Sequence, residues 1–360
     1  MDWRSLARRF LGFESVALAF LLLYPLAPFL DWMLESQQLP VRLDRQLVTI
    51  FIFAILALGL NLQVGTAGLL QLGIAAFFAI GAYTAGVLTV EKYPFQLGFW
   101  GALLFGPLVA GLAGAALGAP TLRLRGDYLA IVTLGFGEVV RVVLINLESI
   151  TDGPRGLNPI PAPWLPEWLV STEIDPTGRR QVLVMYYLTL WILVALVVAF
   201  RTLERTRLGR SFVALREDEL VSACMGLNPT RTKLIAFAVG AAIAGLAGVL
   251  YATNLTTTAE PNTYDFNYSI MVLCCLIIGG LGSLRGALLG SLVLIGFDNV
   301  ISPLLTRLIQ GEPKPGEVQS VFTTFSNWRW IIFGLALVLM MRFRPNGLWP
   351  ASRSHPEPRA

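Results

Sequence analysis

The stretch "LREDELVSACMGLNPTRTKLIAF", residues 215–237, sets a dense charged island beside the start of a long apolar run. Its charged residues are Arg216, Glu217, Asp218, Glu219, Arg231 and Lys233. Four small or apolar residues have the i, i+3, i+4, i+7 spacing of one helix face: Leu220, Ala223, Cys224 and Leu227. The pattern predicts a short amphipathic helix from about Ser211, with Asp218 and Ser222 on its opposite face.

The end of the same stretch predicts a turn and a second helix. Gly226 weakens the first helix, because glycine has a low helix propensity. Asn228 and Pro229 form an N-cap and first-turn pair, which starts a helix. The apolar residues "AVGAAIAGLAGVLYA" follow. We therefore expect the second helix to continue directly into the apolar run.

The composition places the chain in a bilayer. Of its 360 residues, 55% are hydrophobic and 14% charged, against about 25% charged in a typical soluble domain. Apolar runs recur along almost the whole length, which excludes a soluble domain with a single anchor. The net charge of +4 comes from basic residues scattered among short loops, which excludes a nucleic-acid-binding stripe. We predict an all-α, polytopic membrane helical bundle.

About 20 apolar residues are needed to cross a bilayer as a helix. Ten segments approach this length, with the first read as a retained span and not as a signal peptide: 14–30, 46–65, 68–90, 97–119, 128–147, 182–200, 233–254, 266–282, 286–303 and 328–341. Two of these regions fit the pattern least well. The segment 128–147 carries Glu138 and Arg141, and in 266–303 the glycine-rich "IIGGLGSLRG" leaves open whether the region holds two full spans or a re-entrant piece.

The positive-inside rule orients these spans. With both termini cytoplasmic, 17 of the 27 Lys and Arg residues lie on the cytoplasmic side of the membrane, nine lie on the extracytoplasmic side and Arg141 lies within a span. This arrangement makes 201–232 a cytoplasmic loop and makes 148–181 and 304–327 extracytoplasmic loops. Residues 351–360 are expected to be a disordered cytoplasmic tail after a membrane domain that covers residues 1–350.

Catalytic motifs are missing from the sequence. The one histidine, His355, lies in the tail, and neither a zinc-protease motif nor a phosphate-binding loop occurs. We predict no catalytic residue, no metal site and no cofactor in this chain. Within the spans, Glu138 and Arg141 are three residues apart on one helix face. They either neutralise each other or line a polar path, whereas Asp298 is expected to reach water or cap a helix.

The charged island has two interpretations. An ordinary positive loop would only fix topology, but topology does not require the acidic "EDE" or a defined apolar helix face. A helix of this kind suits docking into a groove of a cytoplasmic partner. We favour the docking interpretation.

Four blocks make the chain similar to a known family. The island with its flanks, "LRLRGDYLAIVTLGFGEVVR" at 122–141, "IIGGLGSLRGALLG" at 277–290 and "RFRPNGLWP" at 342–350 resemble the LivM-type permease subunit of branched-chain amino acid ABC importers. The resemblance runs from about residue 46 to 350. It implies a LivH-type second permease, two cytoplasmic ATPases that bind ATP and Mg, and an extracytoplasmic solute-binding protein.

The resemblance also assigns residues. It makes five of them the ATPase-coupling positions within the 201–232 loop: Glu217, Asp218, Glu219, Ala223 and Gly226. The acidic trio would supply polar docking contacts and Gly226 the close turn. In the 122–141 block, it places Gly135, Gly137 and Glu138 near the translocation path, and Arg141 is assigned to the path with them because it pairs with Glu138. One departure is "DGPRG" at residues 152–156, where the family commonly has a "GGPNG"-like segment.

The expected function is therefore that of a transmembrane permease subunit, which moves branched-chain or other neutral amino acids across the inner (plasma) membrane and performs no bond chemistry. Urea import by the same fold is the nearest alternative. An ATP-independent channel or secondary transporter would leave the docking helix without a purpose. A membrane enzyme would need a clustered polar site, which the sequence does not show.

Overall fold

The computed structural model describes residues 43–94, 96–121, 126–161, 163, 179–305 and 325–349. The predicted span 14–30, the part 164–178 of the first predicted extracytoplasmic loop, most of the second and the tail 351–360 lie outside these residues. Across the described part of the chain the regular structure is helical, without a strand. The all-α prediction is confirmed.

Eleven helices longer than one turn organise the described residues, and we number them in chain order. They are α1 Leu43–Leu60, α2 Ile74–Thr89, α3 Gly98–Thr121, α4 Asp127–Asn146, α5 Arg179–Arg205, α6 Arg207–Glu217, α7 Glu219–Cys224, α8 Pro229–Leu255, α9 Phe266–Gly279, α10 Leu284–Gly296 and α11 Phe325–Phe343. Two of them, α1 and α10, continue into π-helical turns, Asn61–Thr66 and Phe297–Ile301.

The apolar helices match the predicted spans. Six segments among the described residues are long and apolar enough to cross a membrane, and three more are shorter apolar helices. Together they correspond to the nine predicted spans that begin at residue 46 or later. The chain is a polytopic membrane helical bundle, as predicted.

The centre of the bundle depends on small residues. Helix α8 packs against α1, α2 and α3. A Cβ added to Gly81 would lie 2.0 Å from the carbonyl oxygen of Gly245, and one added to Gly248 would lie 2.0 Å from that of Phe78. Glycine at these positions lets helix backbones approach closely, which drives helix association in lipid.

Other helices turn large apolar side chains outward. On α3, α4 and α11 the exposed residues include Leu104, Leu112, Ile131, Val139, Ile331 and Val338. Exposed apolar side chains on several helices are stable when they contact lipid tails or another membrane subunit. The bundle therefore has a packed centre formed by α1, α2 and α8 and a periphery suited to a membrane.

The predicted span 68–90 is too long. Helix α2 begins at Ile74 and not at residue 68, because the backbone N–H of Leu69 donates to the carbonyl of Gln63 and that of Leu72 donates to the hydroxyl of Thr133 on α4. A side chain 61 residues away thus replaces a helical hydrogen bond, which local periodicity cannot reveal.

The region 266–303 forms a helical hairpin. Helix α9 ends at Gly279, because Gly280 has a φ of +121°, which disfavours every residue except glycine. The chain reverses over residues 280–283, and α10 returns antiparallel to α9. A Cβ on Gly290 would lie 1.9 Å from the carbonyl oxygen of Cys275. The break seen in the sequence is therefore a tight turn between two closely packed helices.

Contacts between loops define two ends of the bundle. At one end the Arg216 guanidinium donates to the carbonyl of Gly65, and the N–H of Gly282 donates 2.9 Å to the side-chain oxygen of Asn61. The N–H of Leu348 also donates 2.8 Å there to the carbonyl of Ile278. This is the end that carries the 201–232 loop.

The opposite end gathers the connections after α2, α4 and α8. Lys92 forms an ion pair with Asp152, and the backbone N–H of Leu157 donates 2.8 Å to the Thr258 hydroxyl. The N–H of Thr258 returns a 3.2 Å bond to the carbonyl of Leu157. The loops at these two ends are the two sets that the sequence-based topology places on opposite sides of the membrane.

Candidate functional site

The 201–232 loop contains two helices that meet at Asp218. Helix α6 ends at Glu217, and Asp218 adopts an extended conformation with a φ of −155°. Its carboxylate accepts from the N–H groups of Leu220, at 2.8 Å, and Val221, at 3.0 Å. The prediction of one helix from Ser211 is wrong, because this cap satisfies the N–H groups that a continuous helix would bond to its own carbonyls.

The predicted turn after α7 is confirmed. Gly226 has a φ of +84°, and its N–H donates 3.0 Å to the carbonyl of Ala223. The N–H of Leu227 donates 3.1 Å to the carbonyl of Ser222, which completes a Schellman C-cap. The left-handed conformation accounts for glycine at this position.

The predicted start of α8 is also confirmed. The side-chain oxygen of Asn228 accepts 3.1 Å from the N–H of Arg231, and Pro229 occupies the first helical position. Helix α8 then runs for 27 residues into the centre of the bundle. The loop is thus joined rigidly to the most buried part of the fold.

The apolar face of α7 points away from the rest of the chain. Leu220 is 72% exposed and Met225 is 79% exposed. Ala223 and Cys224 are exposed beside them, whereas Ser222 is buried. An exposed apolar face on a well-capped helix marks an interaction surface. We define the α7 face as Leu220, Ala223 and Cys224 together with Met225, which directly follows the helix, whereas Leu227, which the sequence pattern placed on this face, is half-buried.

The acidic trio is divided by the structure. Asp218 caps α7, and Glu219 accepts 2.7 Å from the ammonium of Lys233. The Lys233 side chain is only 7% exposed, so this pair fixes α7 to the first turns of α8. Glu217 lies exposed at the end of α6. Two of the three predicted docking carboxylates therefore also hold the loop together.

Arg216 joins the loop to two breaks in the bundle helices. Its guanidinium donates to the carbonyl of Gly65 in the π-helical turn after α1. Cβ atoms added to Gly282 and Gly68 would lie 2.8 Å from its Nη1 and 2.9 Å from its Cγ. The sequence indicates Arg216 only as a charged loop residue that reports topology, and this role cannot be predicted from it, because both partners are remote in sequence.

The predicted pairing of Glu138 and Arg141 on α4 is present. The Arg141 Nε lies 3.1 Å from both carboxylate oxygens of Glu138. The Arg141 Nη1 donates 2.5 Å to the side-chain oxygen of Asn262, in the loop after α8. Arg141 therefore connects α4 to the end of the bundle opposite the 201–232 loop.

The two glycines predicted near the path occupy different environments. Gly135 is exposed, and a Cβ there would meet nothing within 4 Å. A Cβ on Gly137 would lie 3.5 Å from the Cα of Gly73, in the unwound segment before α2. In that segment Gln71 is 1% exposed, and neither amide atom of its side chain has a hydrogen-bond partner among the described residues.

The unusual segment at residues 152–156 lies in the opposite end of the bundle. Asp152 has a φ of 58°, and its carboxylate accepts from the Lys92 ammonium. This hydrogen bond raises the pKa of Lys92. A Cβ on Gly156 would lie 2.4 Å from the carbonyl oxygen of Ala259. The departure from the family pattern thus adds an ion pair between two loops.

A polar cavity of about 500 Å³ lies beside Asn262. Its walls come from α1, α8, α9 and the π-helical turn after α10, and include Thr49, Tyr251, Asp265, Met271 and Asp298. The prediction that Asp298 reaches water or caps a helix missed this cavity, because its residues are spread over 250 positions of sequence.

Comparisons with known proteins agree with this architecture. The family model "Branched-chain amino acid transport system / permease component" matches residues 42–341. No solved structure gives a significant match to the chain.

The similar curated proteins are named permeases. The high-affinity branched-chain amino acid transport system permease protein LivM of Salmonella typhimurium is 41% identical over 318 residues, which cover 84% of this chain and 68% of that protein. LivM of Escherichia coli K12 is 40% identical with the same coverage. LivH of Salmonella typhimurium is 24% identical over 254 residues, covering 67% and 79%. The chain belongs to the permease-component family of branched-chain amino acid transport systems.

Proposed function

We propose that this chain is the LivM-type permease subunit of an ATP-driven importer for branched-chain or other neutral amino acids, in the inner (plasma) membrane. The α7 face carries the proposal, because a capped helix with an exposed apolar face needs a partner with a groove. Its side of the membrane follows from the concentration of arginines in the 201–232 loop. The partner at this face is one of two cytoplasmic ATPases, which bind ATP and Mg.

Contacts in the structure support a route by which movement of the ATPases reaches the helices of the bundle. When ATP closes the ATPases, α6 and α7 move with them. Arg216 passes this displacement to the turn after α1 and to the hairpin turn between α9 and α10. The salt bridge from Glu219 to Lys233 passes it to α8. The bundle then switches between inward-facing and outward-facing arrangements, which is rigid-body motion of packed helices.

Two further partners complete the proposed transporter. A LivH-type second permease covers part of the exposed apolar periphery on α3, α4 and α11. A solute-binding protein docks at the end opposite the 201–232 loop. Similarity to proteins named for branched-chain amino acids favours this substrate class over urea.

The test is uptake by the complete complex in liposomes. With ATP inside and leucine-loaded binding protein outside, we expect leucine to accumulate, and we expect a complex with hydrolysis-deficient ATPases to accumulate none. Urea uptake in place of leucine, or equal leucine uptake without ATPases, would contradict the proposal.

A further inference from the structure

The cavity beside Asn262 has two chemically different walls. Its polar wall includes Asn262, Asp265, Asp298 and Asn299. Its apolar wall includes Phe53, Met271 and Ile295, which are 3%, 6% and 1% exposed. The volume of about 500 Å³ lies within the roughly 300–1,000 Å³ of small-molecule sites. A divided lining of this kind suits a ligand with a polar head and an apolar body.

The carboxylates of the polar wall come from two different elements. One oxygen of Asp265 accepts 3.2 Å from the N–H of Tyr268 at the start of α9, and Asp298 lies in the π-helical turn after α10. Asp298 lies within the span-length helical segment Leu284–Leu305, and an ionisable group within a membrane span is costly and marks substrate pathways. Single π-helical turns inside α-helices also occur frequently at functional sites.

A positive group lies at the edge of the same wall. Asn262 lines the cavity and accepts 2.5 Å from the Arg141 guanidinium. Glu138 holds Arg141 from its other side. This guanidinium is already paired with the Glu138 carboxylate, so its contribution to the cavity is to fix the side-chain oxygen of Asn262, and the amide NH2 group of Asn262 can then donate to a ligand. The cavity is thus lined by carboxylates, by an amide that Arg141 holds in place, and by an apolar surface.

We propose that this cavity binds a zwitterionic α-amino acid with an apolar side chain during its passage through the permease. Asp265 and Asp298 receive the ammonium group, the side-chain amide of Asn262 donates to the carboxylate, and the side chain packs on Met271. A metal cation alone would leave the apolar wall unused. The inference rests on the proposed function and names the site within the permease that this function requires.

The experiment uses the complete complex, trapped with ATP and vanadate. A diazirine analogue of leucine is photolysed on it, and the labelled peptides are identified by mass spectrometry. The leucine concentration that halves the labelling is then measured for the unsubstituted complex, for Asp298→Asn and for the control Glu260→Gln. Glu260 is an exposed carboxylate in the adjoining loop that does not line the cavity. Thermal midpoints check that each variant is folded.

We expect label on the peptides that contain Phe53 or Met271, competed by leucine. Asp298→Asn should raise the half-competing leucine concentration at least about tenfold, as expected for a lost hydrogen bond to a charged group, and Glu260→Gln should leave it unchanged. Leucine-competed label in the permease subunits that lies only outside these peptides would overturn the site, even if Asp298→Asn did not fold. Leucine uptake by the unsubstituted complex would then still support the proposed function, whereas its absence would overturn both.

Discussion

The centre of helix α8 and the 201–232 loop use apolar residues in opposite ways. Along α8, residues such as Ala244 and Val249 are fully buried, and glycines bring neighbouring backbones into contact. On the α7 face, Leu220 and Met225 are more than two-thirds exposed although the helix is capped at both ends. The centre is complete within one chain, whereas the loop is ordered but leaves a surface for another protein.

The largest loss of stability should come from adding a side chain at a glycine in the packed centre of the bundle. Gly248→Val would drive a side chain into the Phe78 carbonyl oxygen, 2.0 Å from the new Cβ. We expect destabilisation of about 3 kcal/mol or more, seen as loss of monodisperse protein after detergent extraction. Gly334→Val is the matched control, because Gly334 is exposed on α11 with nothing within 4 Å of its Cβ. Equal yields of the two variants would contradict the packing at α8.

The second effect concerns the link between the two regions. Arg216→Ala removes the bond to Gly65 and should uncouple the loop from the bundle. We expect ATPase subunits to copurify normally while amino acid uptake per ATP hydrolysed falls at least about tenfold, with about 2 kcal/mol of lost stability. Arg210→Ala is the control, because among the described residues the Arg210 guanidinium donates to the nearby carbonyl of Arg205. Normal uptake by Arg216→Ala would rule out this route.

The third effect concerns the anchor of α7. Glu219→Gln leaves the ammonium of Lys233 buried without its carboxylate. We expect a loss of about 2 kcal/mol, below the roughly 3–5 kcal/mol for fully buried pairs, because Glu219 is 26% exposed. Adding Lys233→Met should restore part of the thermal midpoint. A double variant no more stable than Glu219→Gln would show that the pair does not govern this contact.

The smallest stability effect concerns the cap. Asp218→Ala should cost about 1 kcal/mol, and Asp218→Asn only a few tenths, because asparagine also caps helices. Thermal unfolding of the purified chain measures both. Glu217→Ala, one residue earlier in the chain, should leave the midpoint unchanged. Equal midpoints for Asp218→Ala and Asp218→Asn would contradict the capping role.

Local signals in the sequence predicted much of this structure. Two confirmed features are local: the helix start at Asn228 and Pro229, and the pairing of Glu138 with Arg141. Each depends on residues within three positions of each other, so periodicity and capping rules predict them. The break at Asp218 was also local, but its carboxylate was read as a docking group because an N-cap and a surface acid look alike in sequence.

The remaining features depend on distant residues. The late start of the helix in the predicted span 68–90 requires Thr133, and the role of Arg216 requires Gly65 and Gly282. The cavity requires residues from Thr49 to Asn299. No spacing rule connects such positions, because their proximity is decided by how the helices pack.

The exposed thiol of Cys224 gives the most direct test of the central claim, that the α7 face docks an ATPase. Cys274 and Cys275, the other two cysteines of the chain, are buried. Maleimide labelling of the purified permease should therefore modify Cys224 rapidly. Adding the ATPase subunits should slow that labelling at least about tenfold, as expected for a thiol covered in an interface core, and Leu220→Glu should restore it. Labelling of Cys224 at the same rate with and without bound ATPases would contradict the account.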